Sequence, residues 1–301
     1  MSILDTKEYI SKIKSKSKIR DSIPAGIYEI SLTPDDCLLS RKDIVSDEII
    51  DIPGSESDFV IKEVNEFMKD TTKEKYKAYG MLYKKGILLH GKPGTGKSVT
   101  ALLAARKLVE HKDAVVIYNP VPEHFKVALE IFKEELKNRL VCIVLEEFET
   151  MYEESSQLVL SLLDGDAQLE NLITIACTNY IERLPERIKS RPSRFSTVLE
   201  VGPPNAEIRR IFISSKLQEH DKDKLEALVD STEGFTIDQI KDVILSVCVY
   251  EQPLSEAILK IKAMQENSIG EENVRSHFTN NYIGDIRREL RNITGVLTRK
   301  K

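Results

Sequence analysis

Cysteine is scarce in this chain, long apolar runs are missing and net charge is low, and each scarcity removes a class of function. The four cysteines, Cys37, Cys142, Cys177 and Cys248, lie far apart, with no C-x-x-C pair and no adjacent histidine. Neither a zinc module nor a disulfide framework is indicated. Cys142 and Cys177 fall inside apolar runs, where a thiol behaves as a small core residue. No apolar run approaches the roughly 18 residues of a membrane span and no signal-peptide pattern is present, so the expectation is a soluble cytoplasmic protein with no membrane partner. A formal net charge of −5 argues against a protein that coats nucleic acid along its whole surface. Only the ends are basic. Residues 1–20 and 285–301 each carry six Lys or Arg against two Asp or Glu, which fits either solvated ends or a docking surface for an acidic partner.

What the chain does contain is 301 residues, 41% of them hydrophobic, enough for about two domains. It is organised around one stretch, Gly86 to Ser98. The apolar run Ile87–Leu89 has the length of a buried strand, and it leads into Gly91-Lys-Pro-Gly-Thr-Gly-Lys97-Ser98 and then a helix, Val99 to Glu110. This is the phosphate-binding P-loop pattern in its required strand-to-helix setting. Glycines let several backbone N–H groups converge on one centre, and the helix start adds its positive dipole end. The cradle expected to bind nucleotide is Gly91, Lys92, Pro93, Gly94, Thr95, Gly96, Lys97, Ser98 and Val99. Lys97 reaches the outer phosphates, and the Ser98 hydroxyl is suited to hold Mg2+.

Before this stretch, residues 1–20 read as a Lys-rich amphipathic helix or a frayed tail. Ile27–Leu32 alternates, Pro34-Asp-Asp36 turns and Ile44–Ile52 is again strand-prone, giving a small β preface over residues 1–54. Ser57 is placed to cap a helix carrying Phe59, Val60, Val64, Phe67 and Met68. After the P-loop helix come a second strand, Ala114–Tyr118, a crossover helix over 122–137 with a stripe from Phe125 to Leu136, and further strands at Val141–Leu145, Leu172–Ala176 and Thr197–Val201. Apolar strands alternating with amphipathic helices specify an α/β fold: a five-stranded parallel sheet covered on both faces over 55–204, with ligands at the strands' carboxyl ends. Gly202-Pro-Pro204 breaks the pattern. Helices at 205–219, 223–230, 237–250 and 254–266 form a small helical lid domain over 205–266. Residues 267–301 read as a loop and one last helix in a basic tail.

Taken together, the P-loop, Ile143-Val-Leu-Glu146-Glu147 with Glu149 beyond it, Thr178-Asn179, and Arg191-Pro-Ser-Arg194-Phe followed by Gly202-Pro-Pro204 and helices resemble the AAA branch of the AAA+ ATPases over about residues 50–266. The resemblance implies a P-loop NTPase fold, ATP and Mg2+ as ligands, and ATP hydrolysis. Acidic residues at the end of the third strand have two tasks: Glu146 matches the residue that holds the metal, and Glu147 the one that polarises the attacking water. The family's usual order is Asp then Glu. Glu146 therefore departs from it, displacing the carboxylate by about one C–C bond, roughly 1.5 Å, and slower turnover is expected. The subgroup resembling the mitochondrial Rieske-protein translocase also begins this pair with Glu. Asn179 matches the residue that senses the γ-phosphate, and Arg191 and Arg194 match arginine fingers that reach an adjacent subunit, which implies a homo-oligomeric, hexameric ring of head-to-tail contacts. Gly234 and Thr236 match a segment near the adenine. Members that thread protein carry an aromatic-apolar-Gly loop after the second strand; here Tyr118-Asn-Pro-Val-Pro-Glu-His124-Phe125 runs almost directly into a helix.

The expected function is thus an ATP-driven ring that remodels or moves a macromolecular client, most simply a protein. Two alternatives stand beside it. A nucleic-acid loader or motor is suggested by the basic ends, although no zinc module or helix-turn-helix supports it. A slowly hydrolysing, ATP-gated scaffold is suggested by Glu146 and the shortened loop.

Overall fold

The central strands bury both faces, and their residues sort by parity as period-two geometry requires. On β3 (Lys84–His90), Leu88 enters one core while Ile87 and Leu89 enter the other. On β4 (Val115–Tyr118), Val115 and Ile117 face the first core and Val116 the second; on β5 (Val141–Leu145), Ile143 opposes Cys142 and Val144. Helices α4 (Pro122–Glu135) and α5 (Phe148–Asp164) cover the first face through Phe125, Leu129, Phe148 and Val159. Helices α1 (Glu56–Phe67) and α3 (Lys97–Lys112) cover the second through Val60, Val64, Ala101, Ala104 and Leu108. Each such large side chain taken wholly out of water contributes about 2 kcal/mol. The computed structural model describes residues 23–32, 37–42, 52–136, 139–164 and 170–274.

The remaining strands are β1 (Gly26–Leu32), β2 (Cys37–Arg41), β6 (Leu172–Thr178) and β7 (Thr197–Glu200), and the sheet order is β2-β1-β4-β5-β6-β3-β7. All neighbouring pairs are parallel except β1 with β2. All five expected parallel strands are present, but the sheet has seven strands, not five. The β preface is not a separate element: Gly26, Ile27 and Tyr28 pair with Val115, Val116 and Ile117, and Ile27 and Tyr28 enter opposite cores. The hairpin covers what would be an open edge of β4. Its return strand comes at Cys37–Arg41, earlier than expected. The expected strand over 44–52 falls, up to residue 51, outside the described residues, as do the helix over 1–20 and the last helix over 285–297.

Helix boundaries differ in four places. Helix α1 starts at Glu56 with Ser55 in the N-cap position, and Ser57 lies buried inside it. The helical run then breaks at Lys69, whose extended backbone separates α2 (Asp70–Ala78). In the lid, α7 (Ala206–Lys216), α8 (Leu225–Ser231) and α9 (Ile237–Ile244) pack around Phe212, Ile213, Leu228 and Ile240, and Ile52 joins this third core. Helix α9 passes into a π turn (Leu245–Val249), and α10 (Leu254–Val274) extends past the expected end at 266. Helix α6 is a single turn, Glu186–Lys189.

Candidate active site

The P-loop curls where its glycines permit. Gly91, Gly94 and Gly96 have φ of 148°, 78° and 102°, values that a side chain disfavours. A Cβ at Gly91 would lie 2.2 Å from the Val201 carbonyl oxygen, so only glycine lets β3 turn this close to the end of β7. Gly96 caps α3, and the free N–H groups of that helix start face a cleft of about 500 Å³. The cleft lies at the carboxyl ends of β3, β4, β5 and β6. Lys97 is buried, and its ammonium donates to the carbonyls of Gly91 and Lys92, both at 2.8 Å. Burial pushes its pKa down, while Cys177, Glu146, Glu149 and Asp238 pull the other way.

Glu146 and Glu147, at the end of β5, line the same cleft. The Ser98 hydroxyl donates to Glu146 Oε2 at 2.8 Å. Adjacent vertices of an octahedron with metal–oxygen distances near 2.0–2.1 Å lie about 2.9 Å apart, so this hydroxyl and carboxylate suit one Mg2+. Glu146 is held from two further directions: its N–H donates to Asn119 Oδ1 at 3.1 Å, and the Tyr118 hydroxyl approaches Oε1 at 3.4 Å. Burial raises its carboxyl pKa, opposed by Ser98, Cys177, Tyr118 and the Lys97 charge. Glu147 is exposed with φ of 45°, while its carbonyl starts α5 by accepting from Thr150 and Met151. A non-glycine residue held left-handed at a helix start carries strain, and here that conformation accompanies a carboxylate in the cleft beside Ser98 and Glu146.

Asn179, just past the end of β6, also lines the cleft. Its N–H donates to Glu149 Oε1 at 3.3 Å; Glu149 is 3% exposed and its other oxygen has no hydrogen-bond partner. Arg191 and Arg194 do not line this cleft, and their environments differ sharply. Arg194 is buried, with Nε and one Nη each donating to Asp164 at 2.6 Å and the other Nη to the Arg187 carbonyl at 2.7 Å. That fork holds the Asp164 carboxyl below the usual carboxylate range and raises the guanidinium pKa. The Arg191 side chain is 58% exposed and only 3.5 Å from Asp164.

The lid closes the other side. The Asp238 N–H reaches the Gly94 carbonyl at 3.3 Å, and Asp238 and Lys241 line the cleft. From there an apolar slot continues between Ile52, Val99, Leu103, Ile208, Phe212 and Ile237. Neither Gly234 nor Thr236 lines it: Thr236 instead caps α9 in a capping box with Gln239. After β4, Phe125 is core at 1% exposure, while Val121 is 51% exposed on the shortened loop.

Tyr118, Asn119, Asp164 and Asp238 were not assigned as site or supporting residues from the sequence. For Tyr118 and Asn119 a usable signal existed, because they end the strand adjacent to β5, where ligand-facing groups collect. Asp164 and Asp238 offered none, since the contacts that matter here, Arg194 for Asp164 and Gly94 for Asp238, lie 30 and 144 residues away.

Residues 87–203 match the family described as "ATPase family associated with various cellular activities (AAA)". A proteasome-activating nucleotidase of Saccharolobus islandicus is 27% identical over 245 residues, covering 69% of this chain and 61% of that protein. A protein of the same name from Saccharolobus solfataricus is 28% identical over 211 residues, covering 61% and 52%. The ATP-dependent zinc metalloprotease FtsH 2 of Symbiobacterium thermophilum is 28% identical over 201 residues, covering 58% and 33%. The chain thus spans about three fifths or less of the length of these relatives. Among the described residues, no helix is long and apolar enough to cross a membrane.

Proposed function

We propose, from the match of residues 87–203 to the AAA family, that the chain is an AAA+ ATPase that hydrolyses ATP in a homo-oligomeric ring. The observation that carries the reading is the meeting of Ser98 and Glu146 at the foot of the P-loop, with Glu147 beside them. Bound Mg2+ would neutralise phosphate charge during transfer. The chain's own groups do the rest. The backbone of Gly91 to Val99 holds the phosphates, Lys97 transfers its hydrogen bonds from loop carbonyls to the outer phosphates, and Ser98 and Glu146 hold the cation. Glu147 takes the proton of the attacking water, with Asn179 orienting that water or the γ-phosphate. The adenine enters the apolar slot of Ile52, Val99, Ile208 and Phe212, which joins the lid to the nucleotide.

Arg191, exposed and held to Asp164 only at 3.5 Å, is the guanidinium placed to serve a neighbouring subunit, and Arg194 fastens its loop to Asp164. A permanently charged, exposed fork away from its own cleft suits charge stabilisation next door. Protein is the favoured client, supported by relatives named for activating a proteasome and for metalloprotease activity. A hexameric, cytoplasmic assembly is the simplest form of this reading. Glu147→Gln tests it: nucleotide should bind in the presence of Mg2+ with turnover reduced at least about 100-fold. Persisting turnover would remove Glu147 from the role of base.

A further inference from the structure

The N-terminal hairpin is joined to the cleft through one aromatic ring. Lys42, directly after β2, has its Nζ 4.5 Å above the Tyr118 ring centre and 2.5 Å from Glu29 of β1. Its N–H donates to the Ile27 carbonyl at 2.8 Å. The ring thus has a cation on its face, supplied by a hairpin that itself pairs with β4 up to Ile117, the residue before Tyr118. The hydroxyl end of the same ring is 3.4 Å from Glu146 Oε1, and Glu146 Oε2 takes the Ser98 hydroxyl. One carboxylate oxygen therefore faces the P-loop and the other faces the hairpin side of the sheet.

We propose that Tyr118 is a positioning residue for Glu146 and that the hairpin, through Lys42, sets where Tyr118 stands. Both roles follow from the length of Glu146 and rest on the proposed nucleotide site. A glutamate has one more rotatable bond than an aspartate, so its carboxylate needs more external contacts to stay in one place. Asn119 fixes the Glu146 backbone, the Cys177 thiol touches its carboxylate, and Tyr118 approaches the oxygen that Ser98 leaves. A 3.4 Å approach is longer than an ordinary O–H···O bond of about 2.5–3.0 Å, so the expected effect is several-fold and not hundreds-fold. The cation over the ring face is an attraction of the ordinary kind between ammonium and aromatic, and a movement of the hairpin changes it directly.

The test is the Mg2+ dependence of binding of a fluorescent ATP analogue to the full chain, a readout separate from turnover. Tyr118→Phe keeps the ring and removes only the hydroxyl. It should raise the Mg2+ concentration needed for half-maximal binding by about fivefold while leaving affinity in EDTA unchanged. Lys42→Ala should shift it the same way, by about twofold. In a Glu146→Asp background, whose carboxylate ends about 1.5 Å short of Tyr118, Tyr118→Phe should have no further effect. An unchanged Mg2+ dependence in Tyr118→Phe, or an equal shift in the Glu146→Asp background, would overturn the positioning role. An unchanged Lys42→Ala would overturn the hairpin link. Failure of the parent chain to bind the analogue at all would instead overturn the nucleotide reading on which this rests.

Discussion

Replacing Arg194 by alanine should cost fold stability, whereas replacing Arg191 should cost turnover alone. The Arg194 side chain is 4% exposed and makes three short hydrogen bonds, two to Asp164 and one to the Arg187 carbonyl. Removing one partner of a fully buried ion pair costs about 3–5 kcal/mol. Asp164 is 33% exposed, so water can rehydrate its stranded carboxylate, which lowers the expected loss to about 2–3 kcal/mol. For a unit of this size that is a fall in Tm of roughly 5–10 °C. Arg191, mostly exposed and 3.5 Å from the same carboxylate, should contribute at most about 1 kcal/mol, roughly 2 °C. Thermal unfolding followed by circular dichroism, with ATPase rate on the same samples, separates the two. Arg191→Ala should keep its Tm and lose at least about 100-fold in rate. Arg194→Lys should fall between parent and alanine, since an ammonium cannot reproduce the fork. An Arg194→Ala protein melting within about 2 °C of the parent would refute this reasoning.

Further outcomes follow from the same contacts. Gly91→Ala places a Cβ 2.2 Å from the Val201 carbonyl oxygen at φ of 148°, so nucleotide affinity measured by fluorescence anisotropy should fall at least about tenfold. Because the folded pKa of Asp164 lies below its ordinary 3.8, its contribution to stability is full above that value and is lost as pH falls through the folded pKa. The Tm gap between parent and Asp164→Asn should therefore be constant near neutrality and close as pH drops below about 4, in a melting series across acid pH. Glu149→Ala removes the acceptor of the Asn179 N–H, and should lower the ATPase rate about tenfold with little change in nucleotide affinity, which a steady-state rate beside a binding titration checks.

Four of the five parallel strands were legible because each is a short apolar run that contributes to two cores, a pattern local enough to read; β7, half-exposed, was legible from its place between the arginine-bearing loop and Gly202-Pro-Pro204. The pairing of Gly26–Tyr28 with Val115–Ile117 was not, because no local feature marks a parallel partner nearly ninety residues away. The α1 boundary slipped by two residues: Ser57 was expected as the cap, but the helix starts after Ser55 and takes Ser57 into its buried face. The P-loop, Glu146, Glu147 and Asn179 could be grouped from sequence because they sit where chain order and strand ends coincide, and they line one cleft. The different surroundings of Arg191 and Arg194 were invisible, since the partner that separates them, Asp164, ends a helix in another segment. The apolar slot beside the cleft escaped for the same reason, being built from Ile52, α3 and the lid.

The central claim is that each hydrolytic site is completed by Arg191 of a neighbouring copy, and mixing two dead variants tests it most directly. Glu147→Gln lacks the base but offers the arginine; Arg191→Ala keeps the base but cannot complete the site next door. Each alone should be nearly inactive. Mixed one to one and reassembled, about a quarter of interfaces should pair an intact Glu147 with an intact Arg191, restoring about a quarter of the parent rate. A mixture no faster than the sum of its two components would contradict the account.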